Sequence, residues 1–90
     1  MTELEFTYNG KCSEATFIAS AIDDVVQIER EDSKNPPSIQ IFTRIDDSFT
    51  WKLAKSVTPM PNPFICQIAV PEGMQVKLSV NGNVTKGGLL

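Results

Sequence analysis

The chain contains no histidine. That removes the commonest general base, the commonest zinc ligand and the side chain that changes charge near neutral pH. Basic residues are also in the minority. Eight Lys and Arg stand against eleven Asp and Glu, giving a net charge of −3 and a pI near 4.7. Proteins that grip nucleic acid need a basic stripe to neutralise phosphates, so no nucleic-acid partner is expected. No run approaches the roughly 20 apolar residues of a membrane span, and the acidic opening Met1-Thr2-Glu3-Leu4-Glu5 has no secretory character. Neither membrane association nor export is therefore expected. Cysteine is scarce: Cys12 and Cys66 lie far apart and match no metal or redox spacing, so they read as free thiols. There is no Gly-rich phosphate loop, and Gly87-Gly88 reads as a loose tail. Helical periodicity is missing over any useful length.

What remains is strand pattern and turn chemistry. The length of 90 residues and the 41% apolar content describe one globular domain, residues 1–90, with a modest core. In residues 64–81, Val76, Leu78 and Val80 alternate with Gln75, Lys77 and Ser79, and Phe64, Cys66, Ile68 and Val70 share a face. Pro71-Glu72-Gly73 between them predicts a tight turn and hence a hairpin. Leu4, Phe6 and Tyr8 predict a first strand, closed by Asn9-Gly10, with residues 15–19 pairing back on it. Further strands are expected over residues 25–31, 38–45 and 49–54. Pro36-Pro37 and the three prolines of residues 57–63 mark loops that no ladder crosses. Roughly six to eight short strands with regular turns predict an all-β fold: a small antiparallel β-sandwich, jelly-roll-like or immunoglobulin-like, with a small β-barrel as the alternative.

Few residues carry chemistry. Ile-Asp-Asp occurs at residues 22–24 and 45–47, so Asp23, Asp24, Asp46 and Asp47 are candidates to hold calcium, though Asp also caps turns by itself. The spacing lacks the calcium-loop pattern, and no metal site or cofactor is assigned. Without histidine a serine or cysteine nucleophile would need a Lys or carboxylate partner, and nothing in the local spacing suggests one; a sandwich of this size also rarely builds a two-carboxylate cleft, so no enzyme activity and no catalytic residue is expected. Phe49, Trp51 and Leu53 share a face and read as core. The rival reading makes Trp51 or Tyr8 a stacking surface for a sugar. Phe42 and Ile65 sit opposite apolar neighbours on their own strands, which points to burial against another chain.

Three stretches carry a resemblance: Ile22-Asp23-Asp24-Val25-Val26-Gln27-Ile28, Asp47-Ser48-Phe49-Thr50-Trp51, and residues 70–80, Val-Pro-Glu-Gly-Met-Gln-Val-Lys-Leu-Ser-Val. Together they resemble small β-sandwich proteins of tailed-bacteriophage virions. The chain departs from that pattern in Pro36-Pro37 and in the proline-rich crossover. The resemblance implies a non-enzymatic virion protein, a capsid cement or decoration subunit that binds across capsid proteins and stabilises the head, with a tail, baseplate or fibre component as the related alternative. It implies a homo-oligomer, with a trimer favoured, located in the virion after synthesis in host cytoplasm. Its contacts would involve Phe42, Ile65, the arm of residues 1–8 with Leu4 and Phe6, and the loops at Pro36, Pro37, Pro59 and Pro61. The rival from another class is a carbohydrate-binding sandwich module using Trp51 or Tyr8 and the four aspartates.

Overall fold

The computed structural model describes residues 2–20, 24–31, 38–58 and 64–90. Pro36, Pro37, Pro59, Pro61 and Asp23 lie outside these residues. Nine strands occur among them: β1 (Thr2–Glu3), β2 (Thr7–Tyr8), β3 (Cys12–Ile18), β4 (Val25–Arg30), β5 (Ile39–Arg44), β6 (Lys52–Val57), β7 (Phe64–Gln67), β8 (Gln75–Asn81) and β9 (Val84–Leu89). They form two antiparallel sheets, ordered β1-β9-β4-β7 and β2-β3-β8-β5-β6. The all-β sandwich is the fold, and its strand count exceeds the expected range because the first strand splits in two.

The pairing decides the winding. β5 pairs with β6, β4 with β7, β3 with β8 and β1 with β9. These are the rungs of one long hairpin whose tip is Asp46-Asp47-Ser48. The hairpin is folded over so that β4 also meets β9 and β5 also meets β8. That is jelly-roll winding.

Several local readings change as a result. Residues 64–81 are not a hairpin: β7 lies in the four-stranded sheet beside β4, and β8 lies in the five-stranded sheet between β3 and β5. The turn itself forms, with Met74 N–H donating to Pro71 O at 3.3 Å and Gly73 at φ 90°. It redirects the chain between layers because Ile68 and Val70 both drop into the core. The first strand likewise divides, β1 pairing in one sheet and β2 in the other. The Asn9 turn closes as expected, shifted by one residue. Asn9 N–H donates to Cys12 O, Gly10 takes φ 97°, and Asn9 Oδ1 accepts from the Lys11 and Cys12 amides. Gly87 and Gly88 are no loose tail. Both are buried in β9, and Phe6 from the N-terminal segment lies over Gly87.

The core is aliphatic. Val26, Ile28, Ile39, Ile41, Val76, Leu78 and Val80 are all essentially sealed from water. Each comes from an alternating strand, so the period-two pattern of β4, β5 and β8 translates directly into an inner face. Leu4, Phe6 and Phe17 pack against this cluster from its margin. The segment expected to act as an arm thus lies on its own domain, with Leu4 N–H bonded to Gly87 O at 3.0 Å.

A polar junction holds the place where the chain passes from β8 to β9. Ser13 is fully buried; its hydroxyl donates to Gly82 O at 2.8 Å and accepts from Val84 N–H at 2.9 Å. Arg30 continues the inner row of Val26 and Ile28, is 5% exposed, and donates to Asn81 O at 2.8 Å. Asn81 Oδ1 accepts from the Ser38 amide at 2.7 Å.

Ala69, between Ile68 and Val70, has φ 44°. A left-handed backbone is unfavourable for alanine by about 1–2 kcal/mol. Its side chain is exposed, so nothing is lost by removing it. Ala69→Gly is expected to raise stability by roughly 0.5–1 kcal/mol after the greater freedom of glycine in the unfolded chain is counted. Urea unfolding of the two proteins checks this, through a higher midpoint at unchanged slope.

Candidate functional site

The feature that shapes the surface is a β-bulge between β5 and β6. Ile39 faces Val57 and Ile41 faces Lys55, but Phe42 then faces Leu53, so Ala54 is the extra residue. A one-residue slip moves every following side chain to the opposite face. Without it, Leu53 and Trp51 would continue the inner row of Ile39 and Ile41. With it they turn outward. The sequence expectation of a buried Phe49, Trp51 and Leu53 is therefore overturned: Trp51 is half-buried on the outside, and Phe49 and Leu53 are 51% and 55% exposed.

Register then assembles the outer face of the five-stranded sheet. One row reads Thr16, Lys77, Phe42, Leu53; the next reads Ile18, Gln75, Arg44, followed by Trp51. Arg44 lies over the Trp51 ring at 4.1 Å from its centroid. Three acceptors hold its guanidinium: Gln75 Oε1 at 2.6 Å, Asp47 Oδ1 at 3.2 Å and Phe49 O at 3.4 Å. Gln75 Nε2 also donates to Asp47 Oδ1, at 2.7 Å. Lys77 Nζ lies 4.8 Å from the Phe42 centroid and 5.4 Å from that of Trp51. Cation–aromatic contacts of this kind contribute about 0.5–1 kcal/mol each at exposed sites.

Two hollows flank this row. One, of roughly 340 Å³, is lined by Thr16, Phe17, Ile18, Arg44, Asp47, Trp51 and Gln75. The other, of roughly 250 Å³, lies beside the β5–β6 turn and includes Ile45, Phe49, Lys52 and Met74 in its lining. Ile45 is 62% exposed there.

The remaining sequence candidates disperse. Asp24 receives the Ser20 amide and hydroxyl at 3.0 and 2.6 Å. Asp46 receives the Ser48 hydroxyl at 2.5 Å and its amide at 2.8 Å. Those two bonds, with the charge of Arg44 adding to them, hold the Asp46 carboxyl below its ordinary pKa. Among the described residues no three Asp, Glu, Cys or His side chains gather into a metal-holding group. The aspartates there close turns, and Asp47 serves the Arg44 network. Tyr8 is exposed and bonds its own turn through Gly10 O at 2.9 Å. It lies beside Ser13, while Trp51 lies beyond Arg44 and Gln75 near Ile18, about 16 Å further along β3, so the two aromatics do not share a surface. Ile65 is 63% exposed on β7, the edge strand of the four-stranded sheet. Cys12 and Cys66 are free thiols on strands of opposite sheets.

Arg44, Gln75, Lys77 and Thr16 escaped the sequence reading. Gln75 and Lys77 appear there only as the wet face of a strand. Nothing in the alternation reveals that this wet face adjoins Phe42 of β5 and Trp51 just ahead of β6. Comparison of the chain with family models, curated proteins and solved structures finds no match.

Proposed function

We propose that this chain is a non-enzymatic assembly protein: a small capsid cement or decoration subunit of a bacteriophage virion. The observation that carries the reading is the β5–β6 hairpin. It bears Ile45 and Phe49, 62% and 51% exposed, lining a hollow with Met74, and Leu53, 55% exposed, on its outer face. Large apolar side chains exposed on one element are what a protein contact uses as anchors. The hairpin is the proposed contact with capsid protein. Ile65, on the edge strand β7, is the proposed contact between subunits of a trimer. The phage setting rests on the resemblance of residues 22–84, and jelly-roll winding recurs in viral capsid domains, although a fold hosts many functions.

The mechanism is stabilisation by binding. A subunit that binds only the assembled shell at one hundred times its Kd stabilises that state by about 2.7 kcal/mol per site. Two measurements test this. Light scattering of the purified chain is expected to give the mass of a closed oligomer, and Ile65→Ser to give monomer. Co-sedimentation with heads of the encoding phage is expected to retain the wild type, and to lose Phe49→Ser by at least about tenfold in affinity. A monomeric wild type that fails to sediment with heads would overturn the reading.

A further inference from the structure

The cleft beside Trp51 has the parts of a sugar site, and the proposed docking role does not use it. An aromatic ring offers a flat apolar surface to the C–H face of a pyranose, and planar polar side chains at its rim bond adjacent hydroxyls. Trp51 lines the hollow together with Asp47, Gln75 and Thr16, and Arg44 covers and fixes one side of its ring. Arg44 lies on Trp51 and is held at three points, so it sets the ring and aims Asp47 rather than remaining free to bind. Asp47 uses only Oδ1 in that network, and its side chain is 85% exposed, which leaves Oδ2 as an acceptor. Gln75 Nε2 has a second hydrogen, and the Thr16 hydroxyl lines the same wall. The volume, roughly 340 Å³, suits one or two rings.

The charge at the rim narrows the class. Lys77 Nζ sits between Phe42 and Trp51, and among the described residues no carboxylate lies within ion-pair distance of it. Arg44 pairs with Asp47 and also feels the charge of Asp46, so Lys77 is the cation beside Trp51 that has no ion pair among the described residues. An ammonium flanked by two rings and lacking a counter-ion is suited to receive a carboxylate. We propose that the Trp51 cleft binds a carboxylate-bearing pyranose, an acidic sugar. Its ring packs against the part of Trp51 that lines the hollow, its hydroxyls bond Asp47, Gln75 and Thr16, and its carboxylate reaches Lys77, which lies outside the lining on the far side of Trp51.

The chain has a single tryptophan, so intrinsic fluorescence reports this cleft alone. The probes are methyl β-glucuronide, its neutral twin methyl β-glucoside, and acetate. The glucuronide is expected to change Trp51 emission and to shift the Gln75 and Lys77 amide resonances with a Kd in the millimolar range, and the glucoside to bind about tenfold more weakly. Acetate at equal concentration leaves both signals unmoved. Lys77→Gln brings the glucuronide down to the level of the glucoside and leaves the glucoside as it was, with a dispersed amide spectrum certifying the fold. No response to either pyranoside up to about 100 mM, or equal affinity for the two, overturns the proposal. So does acetate reproducing the glucuronide effect, since that would mark a bare carboxylate contact such as a partner's acidic side chain supplies.

Discussion

Gly87→Ala is expected to destabilise the domain by about 2–3 kcal/mol, which for a domain of this size lowers Tm by roughly 10–20 °C. The position is buried in the middle of β9, and a Cβ there would stand 2.5 Å from Phe6 Cε2, with two more ring atoms at 3.2 and 3.3 Å. The ring cannot simply swing away, because Phe6 packs against the core and Leu4, two residues earlier, is tied to Gly87 O. If this contact is the cause, shortening Phe6 relieves it. Phe6→Leu alone loses packing, yet in the double variant with Gly87→Ala the two effects are expected to fall short of additivity by at least about 1 kcal/mol. Thermal unfolding of the four proteins decides the matter. Additive losses would mean that Gly87 is needed for some reason other than the space it leaves.

Ser13→Ala is expected to be nearly as damaging, at about 2–3 kcal/mol, although it removes a single atom. Its hydroxyl is sealed from water and serves two backbone groups at once, Gly82 O and Val84 N–H. Deleting it leaves these two half-buried backbone groups without that partner, and an orphaned group shielded from water costs about 1–3 kcal/mol. The control is Ser79→Ala on the outer face of β8, where water can replace the hydroxyl and the change is expected to stay within about 0.5 kcal/mol. Amide exchange adds a local readout. In Ser13→Ala the Val84 amide should exchange faster than its neighbours in β9.

The residues that were easiest to read are those whose neighbours along the chain decide their fate. Val26 and Ile28, Ile39 and Ile41, and Val76, Leu78 and Val80 announce an inner face by alternation, and the structure buries all seven. Alternation says which side chains share a face. It does not say which sheet a strand joins, and so Pro71-Glu72-Gly73 reads as a hairpin turn when it is a passage between layers. Nor does it register an extra residue. Ala54 looks like any other member of its strand, yet as the bulge residue it sends Leu53 and Trp51 outward. The platform of Phe42, Arg44, Trp51, Gln75 and Lys77 draws on β5, β8 and the residue ahead of β6, and its existence depends on register that no single stretch contains. Gly87 was misread for a similar reason, since the side chain that needs its missing Cβ lies eighty-one positions away at Phe6.

The nested pairing of the long hairpin also implies an order of events in time. Its rungs join residues ever further apart: Thr43 to Lys52 at the tip, Val25 to Gln67, Cys12 to Asn81, and finally Thr2 to Leu89. The chain entropy lost on closing a loop grows with its length, so the tip is the least demanding place to begin. β8, the central strand of the five-stranded sheet, and β9, one of the two interior strands of the four-stranded sheet, are also the last two strands in the chain. A ribosome that has released only the first seventy residues has therefore delivered the hairpin tip with Trp51 and Phe49, but neither β8 nor β9. Folding on the millisecond-to-second scale of long-range β proteins, with Trp51 reaching its final environment only once β8 brings Gln75 and Lys77 to it, is what this winding entails.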